Sequence, residues 1–413
     1  MKVKNIALSL ILTVLLGVIY LFGVYTGFKG FFPTENLKNL KQSLSLNSSV
    51  FNYDIEVEKE LINEFGEPIA IGKENFNYTD DYTSKFIRLS ETKGLDGISD
   101  YKYYRSLKSM YDDFLIANKK LEKDQDTVRI KKSIEEIFKI TEKNIINVVE
   151  KEVISNDEFG KIEMVAVETD TDNIFQYIQS KPKEWNGKIL IAIHGCSGSP
   201  DGVMSLVDEP TYLNSFGYEG FKEGYMVIAP YILNMCDWVG QFDSFGISTN
   251  HTAFGYEIEK ILAITEFIKT ENSSSDVYVY GISFGAQIAL LSNLYFPFDA
   301  TVISGSMVFD YHDWHLEYAR EFGLTKEYRT SIFSRILSLE FDRVDIIKKI
   351  LPRKIIIEFA SGDIKKGLIE ELKEIRDYSI SNDQMDALEL VFIDAYHETY
   401  PQEIFRRLKL CVE

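Results

Sequence analysis

The stretch that decides the fold runs from Val277 to Leu291 and reads VYVYGISFGAQIALL. Its first half alternates β-branched and aromatic residues, as a strand does, and its second half is apolar, as a buried helix is. The pentapeptide between them fits G-x-S-x-G, which marks a sharp strand-turn-helix that exposes a serine hydroxyl. So tight a turn leaves no room for a Cβ at Gly281 or Gly285. The pattern predicts a nucleophilic Ser283, and the alternative is a purely structural turn.

A reactive serine requires two further residues. A hydroxyl is a weak nucleophile until a base removes its proton, and that base must be oriented by a third group. In strand-turn-helix sites of this kind the acid and the histidine follow the serine in the chain, each after a late strand. Of the five histidines, His397 alone comes directly after the last β-rich run, and Asp363 ends the run before it. We therefore predict a triad of Ser283, Asp363 and His397, with Asp310 as a rival acid.

The negative oxygen of a tetrahedral intermediate needs N–H donors that are already in place. Phe284 follows the serine, so its backbone N–H is one predicted donor. The turn IAIHGCSGSP follows an earlier strand, and the N–H of Cys196 is the second. We expect His194 to shape this turn and to take no part in proton transfer.

Beyond Gly160, short β-rich runs alternate with helical patterns, which is typical of a mostly parallel sheet with helices on both faces. The predicted class is α/β. The aromatic, helical stretch from about 305 to 351 interrupts this rhythm after the sixth strand, and we interpret it as a cap over a pocket. The predicted strands are KIEMVAVET, NIFQYIQSK, GKILIAIHG, GYMVIAP, SDVYVYG, DATVISG, RKIIIEFASG and ALELVFIDA. The first two of these strands are predicted to form a hairpin.

The N-terminal region differs in composition from the rest. Lys2 and Lys4 precede an uncharged apolar run from Ile6 to Phe28, which is long enough for a transmembrane helix. We predict a membrane anchor over residues 1–29, with the body on the extracytoplasmic side. A cleaved signal peptide that releases a secreted protein is the alternative.

Residues 30–99 are predicted to be a stalk and an irregular N-terminal region. The start of this region is rich in Asn, Ser and Lys, and its apolar residues show little periodicity. From about 100 to 152, apolar residues recur at intervals of three and four, which predicts amphipathic helices. These helices are assigned to a catalytic domain that spans residues 100–413.

Composition excludes several classes of protein. The formal charge of −19, from 64 acidic and 45 basic residues, argues against a nucleic-acid partner. Three cysteines are too few for a disulfide scaffold or a zinc ribbon, although Cys196 and Cys236 could pair. The HDWH segment at His312–His315 matches no metal motif. We therefore expect neither a metal nor an organic cofactor.

With these motifs the chain resembles the α/β-hydrolase superfamily over roughly residues 130–413. Within it, the sequence is similar to the dienelactone hydrolase and acetyl xylan esterase-like group, and also to the catalytic domains of prolyl oligopeptidase-type peptidases. The similarity lies in HGCSG, HTAFGYEIEKILAITEFI, YGISFGAQIALL, VISGSM and the SGD and YHE loops. The resemblance implies the same triad and the same two oxyanion donors. The N-terminal quarter has no counterpart in the family pattern.

These observations predict a membrane-anchored serine hydrolase of the carboxylesterase type, which cleaves a small-molecule or glycan-linked ester through an acyl-enzyme. A serine peptidase or an acyltransferase of the same fold remains open. A non-catalytic binding protein that retains the fold is a third alternative.

Overall fold

The computed structural model describes residues 60, 62–70, 131–132, 135, 138–196, 198–207, 211–232, 252–305, 343–363 and 368–410. All of them belong to one compact unit, Asp54–Glu413. The statements below concern these residues.

The unit is built on a single sheet of ten strands. The strands are β1 (Ile69–Ala70), β2 (Ile145–Asn156), β3 (Gly160–Thr169), β4 (Ile174–Pro182), β5 (Lys188–Ile193), β6 (Met226–Pro230), β7 (Asp276–Ile282), β8 (Ala300–Ser304), β9 (Lys354–Ala360) and β10 (Leu388–Asp394). Their spatial order in the sheet is β1-β10-β9-β8-β7-β5-β6-β4-β3-β2.

The topology of the sheet positions the site. Strands β2, β3 and β4 are antiparallel to their neighbours, whereas β5 pairs in parallel with both β6 and β7. The chain therefore leaves β5 in one direction and later crosses to β7 on its other side. In open α/β sheets ligands bind at such a switch point, outside the carboxyl ends of the strands.

Helices cover both faces of the sheet. The helices are α1 (Pro200–Val203), α2 (Phe216–Lys222), α3 (Ala253–Glu271), α4 (Phe284–Ser292), α5 (Arg343–Ile350), α6 (Leu368–Ser381) and α7 (Pro401–Leu410). The apolar cluster on one face includes side chains from α3, α4, α5 and α6, and the cluster on the other includes side chains from α1, α2 and α7. Consecutive residues of β5 alternate between the clusters, Ile189 in the first and Leu190 in the second, which explains why its sequence is continuously apolar.

The sheet confirms the mixed α/β class and every strand predicted beyond Gly160, including the antiparallel hairpin of β3 and β4. The helical prediction for residues up to 152 is wrong from Ile145 onward, because that segment is β2, paired with β3. The pairing register shifts between Ile145 and Asn147, between Val148 and Glu150, and between Val153 and Ser155. Such bulges insert extra residues into the alternation, and the resulting three-residue apolar spacing resembles that of a helix.

Two boundaries also differ from the prediction. Strand β1 lies within the predicted irregular region 30–99, yet it pairs in parallel with β10 at the edge of the sheet. Helix α5 lies at the end of the predicted cap, yet Val344, Ile347 and Ile350 are buried in the core cluster of the sheet. A two-residue strand and a single amphipathic helix are too short for their packing to be recognised from sequence pattern alone.

The remainder of the predicted cap, from 306 to 342, and the predicted anchor over residues 1–29 lie outside the described residues. Among the helices that the structure describes, none combines the length and the apolar character needed to cross a membrane.

Candidate active site

Ser283 occupies a sharp turn between β7 and α4. Its backbone has φ 56° and ψ −118°, a combination that is strained for any residue with a Cβ. The backbone N–H of Ser283 donates to the carbonyl of Ser304 at the end of β8, at 2.8 Å. The strand-turn-helix geometry predicted for the pentapeptide is therefore present.

The two glycines of the pentapeptide are required by close backbone contacts. A Cβ at Gly281 would lie 2.3 Å from the carbonyl oxygen of Gly285. A Cβ at Gly285 would lie 2.3 Å from the carbonyl oxygen of His194 and 2.4 Å from that of Ile193. A side chain at Gly281 would push α4 away from the end of β7, and one at Gly285 would push the elbow away from the end of β5.

His397 and Asp363 are brought together from two neighbouring strand ends. His397 Nδ1 lies 2.6 Å from Asp363 Oδ1, so the Nδ1–H donates to the carboxylate and leaves Nε2 as the basic nitrogen. Asp363 ends a single 3-10 turn, Ser361–Asp363, directly after β9. Gly362 allows this turn to approach the histidine loop, since its Cβ would lie 2.2 Å from the carbonyl oxygen of Tyr396.

Gly305 places the histidine and the serine beside one strand end. It follows Ser304, which accepts the N–H of Ser283, and it has φ 57°. A Cβ at Gly305 would lie 2.8 Å from His397 Cε1 and 3.2 Å from Asp363 Oδ2. Ser283 and His397 thus both lie beside the Ser304–Gly305 backbone, at the carboxyl end of β8.

The turn after β5 lies against the serine. A Cβ at Gly195 would be 2.9 Å from Ser283 Cβ, so the glycine lets the backbone that carries Cys196 approach Ser283. Cys196 is disulfide-bonded; Cys236 and Cys411, the other cysteines of the chain, lie outside the described residues. Phe284 is the first residue of α4, where a backbone N–H has no acceptor within its own helix.

His194 is fully buried beneath this turn. Its Nδ1 lies 2.8 Å from the carbonyl oxygen of Gly195, and its Nε2 accepts the N–H of Ile232 at 3.4 Å. This pair of bonds requires the neutral tautomer with its proton on Nδ1. Both ring nitrogens of His194 therefore hold the backbone, as expected from its place in the turn.

Three further acids follow Ser283 in the chain, in or near the predicted late strands: the rival Asp310, and also Asp394 and Glu358. Asp310 is outside the described residues. Asp394 lies 3.2 Å from the hydroxyl of Ser361, and Glu358 is buried in the middle of β9. His312 and His315 also lie outside the described residues, and no group of three metal-ligating side chains occurs within the described part of the chain.

Tyr212 was not predicted from the sequence. Its hydroxyl donates to the carbonyl of Cys196 at 2.8 Å, and its ring stacks on the imidazole of His397, with centroids 5.8 Å apart. Tyr212 therefore links the turn after β5 to the histidine loop. No motif marks this tyrosine, because it lies in an irregular segment before α2.

Solved structures with similar folds are esterases by name. A candidate acetyl xylan esterase from Bacteroides fragilis NCTC 9343 is similar with a TM-score of 0.55 at 16% identity, over 68% of this chain and 81% of that one. A glucuronoyl esterase from Solibacter usitatus gives 0.48 at 11%, over 70% and 92%, and an acetyl xylan esterase from Paenibacillus sp. R4 gives 0.43 at 14%, over 73% and 98%. No protein-family model and no curated protein matches the sequence.

The first of these similarities, together with the strand order and the turn at Ser283, shows that this chain has the α/β-hydrolase fold.

Proposed function

We propose that the protein is a serine hydrolase that cleaves carboxylic esters through an acyl-enzyme on Ser283. One observation supports the proposal above all: the strained turn of Ser283 and the hydrogen-bonded pair of His397 and Asp363 both adjoin Ser304 and Gly305 at the end of β8. Strained backbone at an exposed serine is a feature of nucleophile elbows.

The proposed chemistry follows from these positions. His397 accepts the Ser283 proton on Nε2 while the oxygen of the serine attacks the ester carbonyl, and Asp363 stabilises the imidazolium that forms. The oxyanion accepts hydrogen bonds from the N–H groups of Cys196 and Phe284. Collapse expels the alcohol, which takes the proton from His397. Water then attacks the acyl-enzyme by the same route and regenerates the serine. The proposed reaction needs no cofactor.

An ester is favoured over a peptide as the substrate. The structural neighbour with the TM-score of 0.55 is named as a candidate acetyl xylan esterase, which supports a small acyl group on a carbohydrate or a similar alcohol. We extend the proposal to activity on short acyl chains and to a small-molecule or glycan-linked ester as the natural substrate class.

The apolar run Ile6–Phe28 supports a further part of the proposal, a single-pass anchor that holds the catalytic body on the extracytoplasmic side. Carbonate extraction of membranes from expressing cells tests the anchor, because a secreted or peripheral protein would be released.

The decisive experiment treats the purified full-length chain with a fluorophosphonate probe, beside Ser283→Ala. Labelling of the intact protein and its loss in the variant are expected. A chain that is folded but unlabelled would contradict the enzyme proposal and favour a binding protein. The matched control is Ser292→Ala, which replaces a buried serine in α4.

Hydrolysis of p-nitrophenyl acetate, butyrate and octanoate then tests the acyl preference. Faster turnover of the octanoate would contradict a short-chain pocket.

A further inference from the structure

Glu358 is a buried carboxyl that the proposed reaction does not use. It lies in the middle of β9, and the solvent reaches none of its surface. Its neighbours across the sheet are Ser304 on β8 and Val391 on β10. Burying a carboxylate without hydrogen-bond partners costs folding free energy. The partners of Glu358 therefore indicate what its side chain does in the fold.

Each oxygen of the Glu358 carboxyl accepts a hydrogen bond from an element that carries the site. Oε2 accepts the hydroxyl proton of Tyr280 at 2.9 Å, and Tyr280 lies on β7, three residues before Ser283. Oε1 accepts the backbone N–H of Tyr400 at 2.7 Å, and Tyr400 ends the loop that carries His397. The side chain thus joins the serine strand to the histidine loop.

The backbone of Glu358 makes a third connection. Its carbonyl accepts the N–H of Gly305 at 3.1 Å, and Gly305 is the residue at which a Cβ would lie 2.8 Å from His397 Cε1. The serine strand, the end of β8 and the histidine loop therefore all bond to this one residue.

The histidine loop is held on its other side by the segment before α2. The backbone N–H of Thr399 donates to the carbonyl of Tyr212, its hydroxyl donates to Leu213, and Asn214 donates to its carbonyl. These bonds fix the loop from the outer side, whereas Glu358 alone among the described residues provides a side-chain acceptor to Tyr400 from within the sheet.

We propose that Glu358 is a positioning residue, which holds the His397 loop in register with the Ser283 elbow through Tyr400 and Tyr280. The inference rests on the proposed function for its catalytic consequence. Its structural consequence, the placement of the His397 ring, does not depend on activity.

The electrostatic surroundings of Glu358 are consistent with this role. Burial and the nearby negative charge of Asp363 raise its pKa to about 7, against the opposing effect of the Ser304 hydroxyl and of the bonds from Tyr400 and Tyr280. Tyr280 is itself fully buried, and burial and the Glu358 carboxylate raise its pKa well above the usual value. The proton of the shared bond therefore stays on the tyrosine, which remains a donor.

The test compares Glu358→Gln and Glu358→Met in the full-length chain. Glutamine keeps the shape and one acceptor oxygen, whereas methionine keeps the length and removes both acceptors. With p-nitrophenyl acetate, kcat per fluorophosphonate-reactive site is expected to fall by about threefold in the glutamine variant and by about thirtyfold in the methionine variant, since misplacement by about 1 Å costs on the order of a hundredfold. KM is expected to be unchanged, and counting reactive sites removes the effect of unfolded protein.

A second readout does not need turnover. The Nδ1–H proton of His397, shared with Asp363, is expected to give a far-downfield proton resonance in the NMR spectrum of the wild-type chain. We expect the signal to shift in Glu358→Gln and to broaden or vanish in Glu358→Met. Glu163→Gln is the matched control, because Glu163 is a buried carboxyl on β3, paired with lysines of the antiparallel strands and remote from the site; its signal and kcat should equal those of the wild type.

The outcomes separate the two proposals. If wild-type protein is labelled and both Glu358 variants keep its kcat and its His397 signal, the positioning role is overturned and the proposed function stands. If wild-type protein is not labelled, the proposed function fails and the His397 signal alone decides the positioning role. If Glu358→Met does not fold, Glu358→Gln decides: a lower kcat with a shifted signal supports the inference, and wild-type values of both overturn it.

Discussion

The ring of Tyr212 stacks on the imidazole of His397, with an angle of 19° between the planes. The hydroxyl of the same tyrosine donates a hydrogen bond to the carbonyl of Cys196. The backbone N–H of the same cysteine is one of the two proposed oxyanion donors. A single side chain thus contacts both the proposed base and the turn that would stabilise the intermediate.

Tyr212→Phe keeps the stacked ring and removes only the hydroxyl. A hydrogen bond of this kind contributes about 1 kcal/mol, so we expect kcat/KM for p-nitrophenyl acetate to fall by about fivefold. Tyr212→Ala also removes the stack and should cost at least a further fivefold, since aromatic stacking contributes about 1 kcal/mol. Tyr218→Phe removes a hydroxyl bonded to Asp157, away from the site, and should leave kcat/KM unchanged. Equal activity of all three variants would show that Tyr212 has no role in the site.

Gly305→Ala should inactivate the protein by displacing the histidine. The new Cβ would lie 2.8 Å from His397 Cε1, and a shift of the base by about 1 Å costs on the order of a hundredfold in kcat. Gly187→Ala is the control, because Gly187 also has positive φ, at 81°, but nothing lies within 4 Å of its Cβ position. Both variants should lose about 1 kcal/mol of stability from backbone strain, measured by urea unfolding, and only Gly305→Ala should lose activity.

Asp363→Asn tests the orienting acid. The amide can donate to Nδ1 and so favours the wrong tautomer of His397, which should lower kcat on the order of a thousandfold or more. Asp299→Asn, at the opposite end of β7, removes a carboxylate bonded to the N–H of Val277 and should leave kcat within about twofold. If Asp363→Asn retained activity, the acid would have to come from another residue, and Asp310→Asn would be the next variant to assay.

Glu358 should make the stability of the fold depend on pH. Burial, together with the nearby negative charge of Asp363, raises its pKa from 4.5 to about 7 in the fold. A raised pKa means that its contribution to folding is fully present below about pH 4.5 and is lost as the pH rises through about 7. The difference amounts to about 3 kcal/mol. Urea unfolding of Glu358→Gln and wild type across this range should therefore show the variant gaining relative stability by about that amount, and a constant difference would contradict the raised pKa.

Much of the fold could be predicted from the sequence, because the buried parallel strands are continuously apolar and the helical patterns between them are either amphipathic or, in α4, mostly apolar. The turn at Ser283 was predictable because the reason for its two glycines is local. Each glycine allows a close backbone approach, either within a few residues or to one neighbouring strand. The pairing of Asp363 with His397 followed from chain order in the resembled family.

Residues that act across the fold left no such signal. The close approach of His397 and Asp363 to the Cβ position of Gly305 is not visible in the sequence. Glu358 is, from the sequence alone, one charged residue in an apolar strand, and only the structure reveals its donors on β7 and the histidine loop. Strand β2 was missed because its bulges break the two-residue period. In each case the information lies in contacts between distant parts of the chain, which a single sequence does not display.

The conformation of Ser283 has a consequence for the engineering of this protein. At φ 56° and ψ −118° a side chain costs on the order of 1–3 kcal/mol, which glycine would largely avoid, so Ser283→Gly should raise the melting temperature while abolishing the proposed esterase activity. Selection for thermostability alone would therefore favour replacement of the proposed nucleophile. Any directed-evolution scheme for a hardier enzyme should select on turnover and heat resistance together.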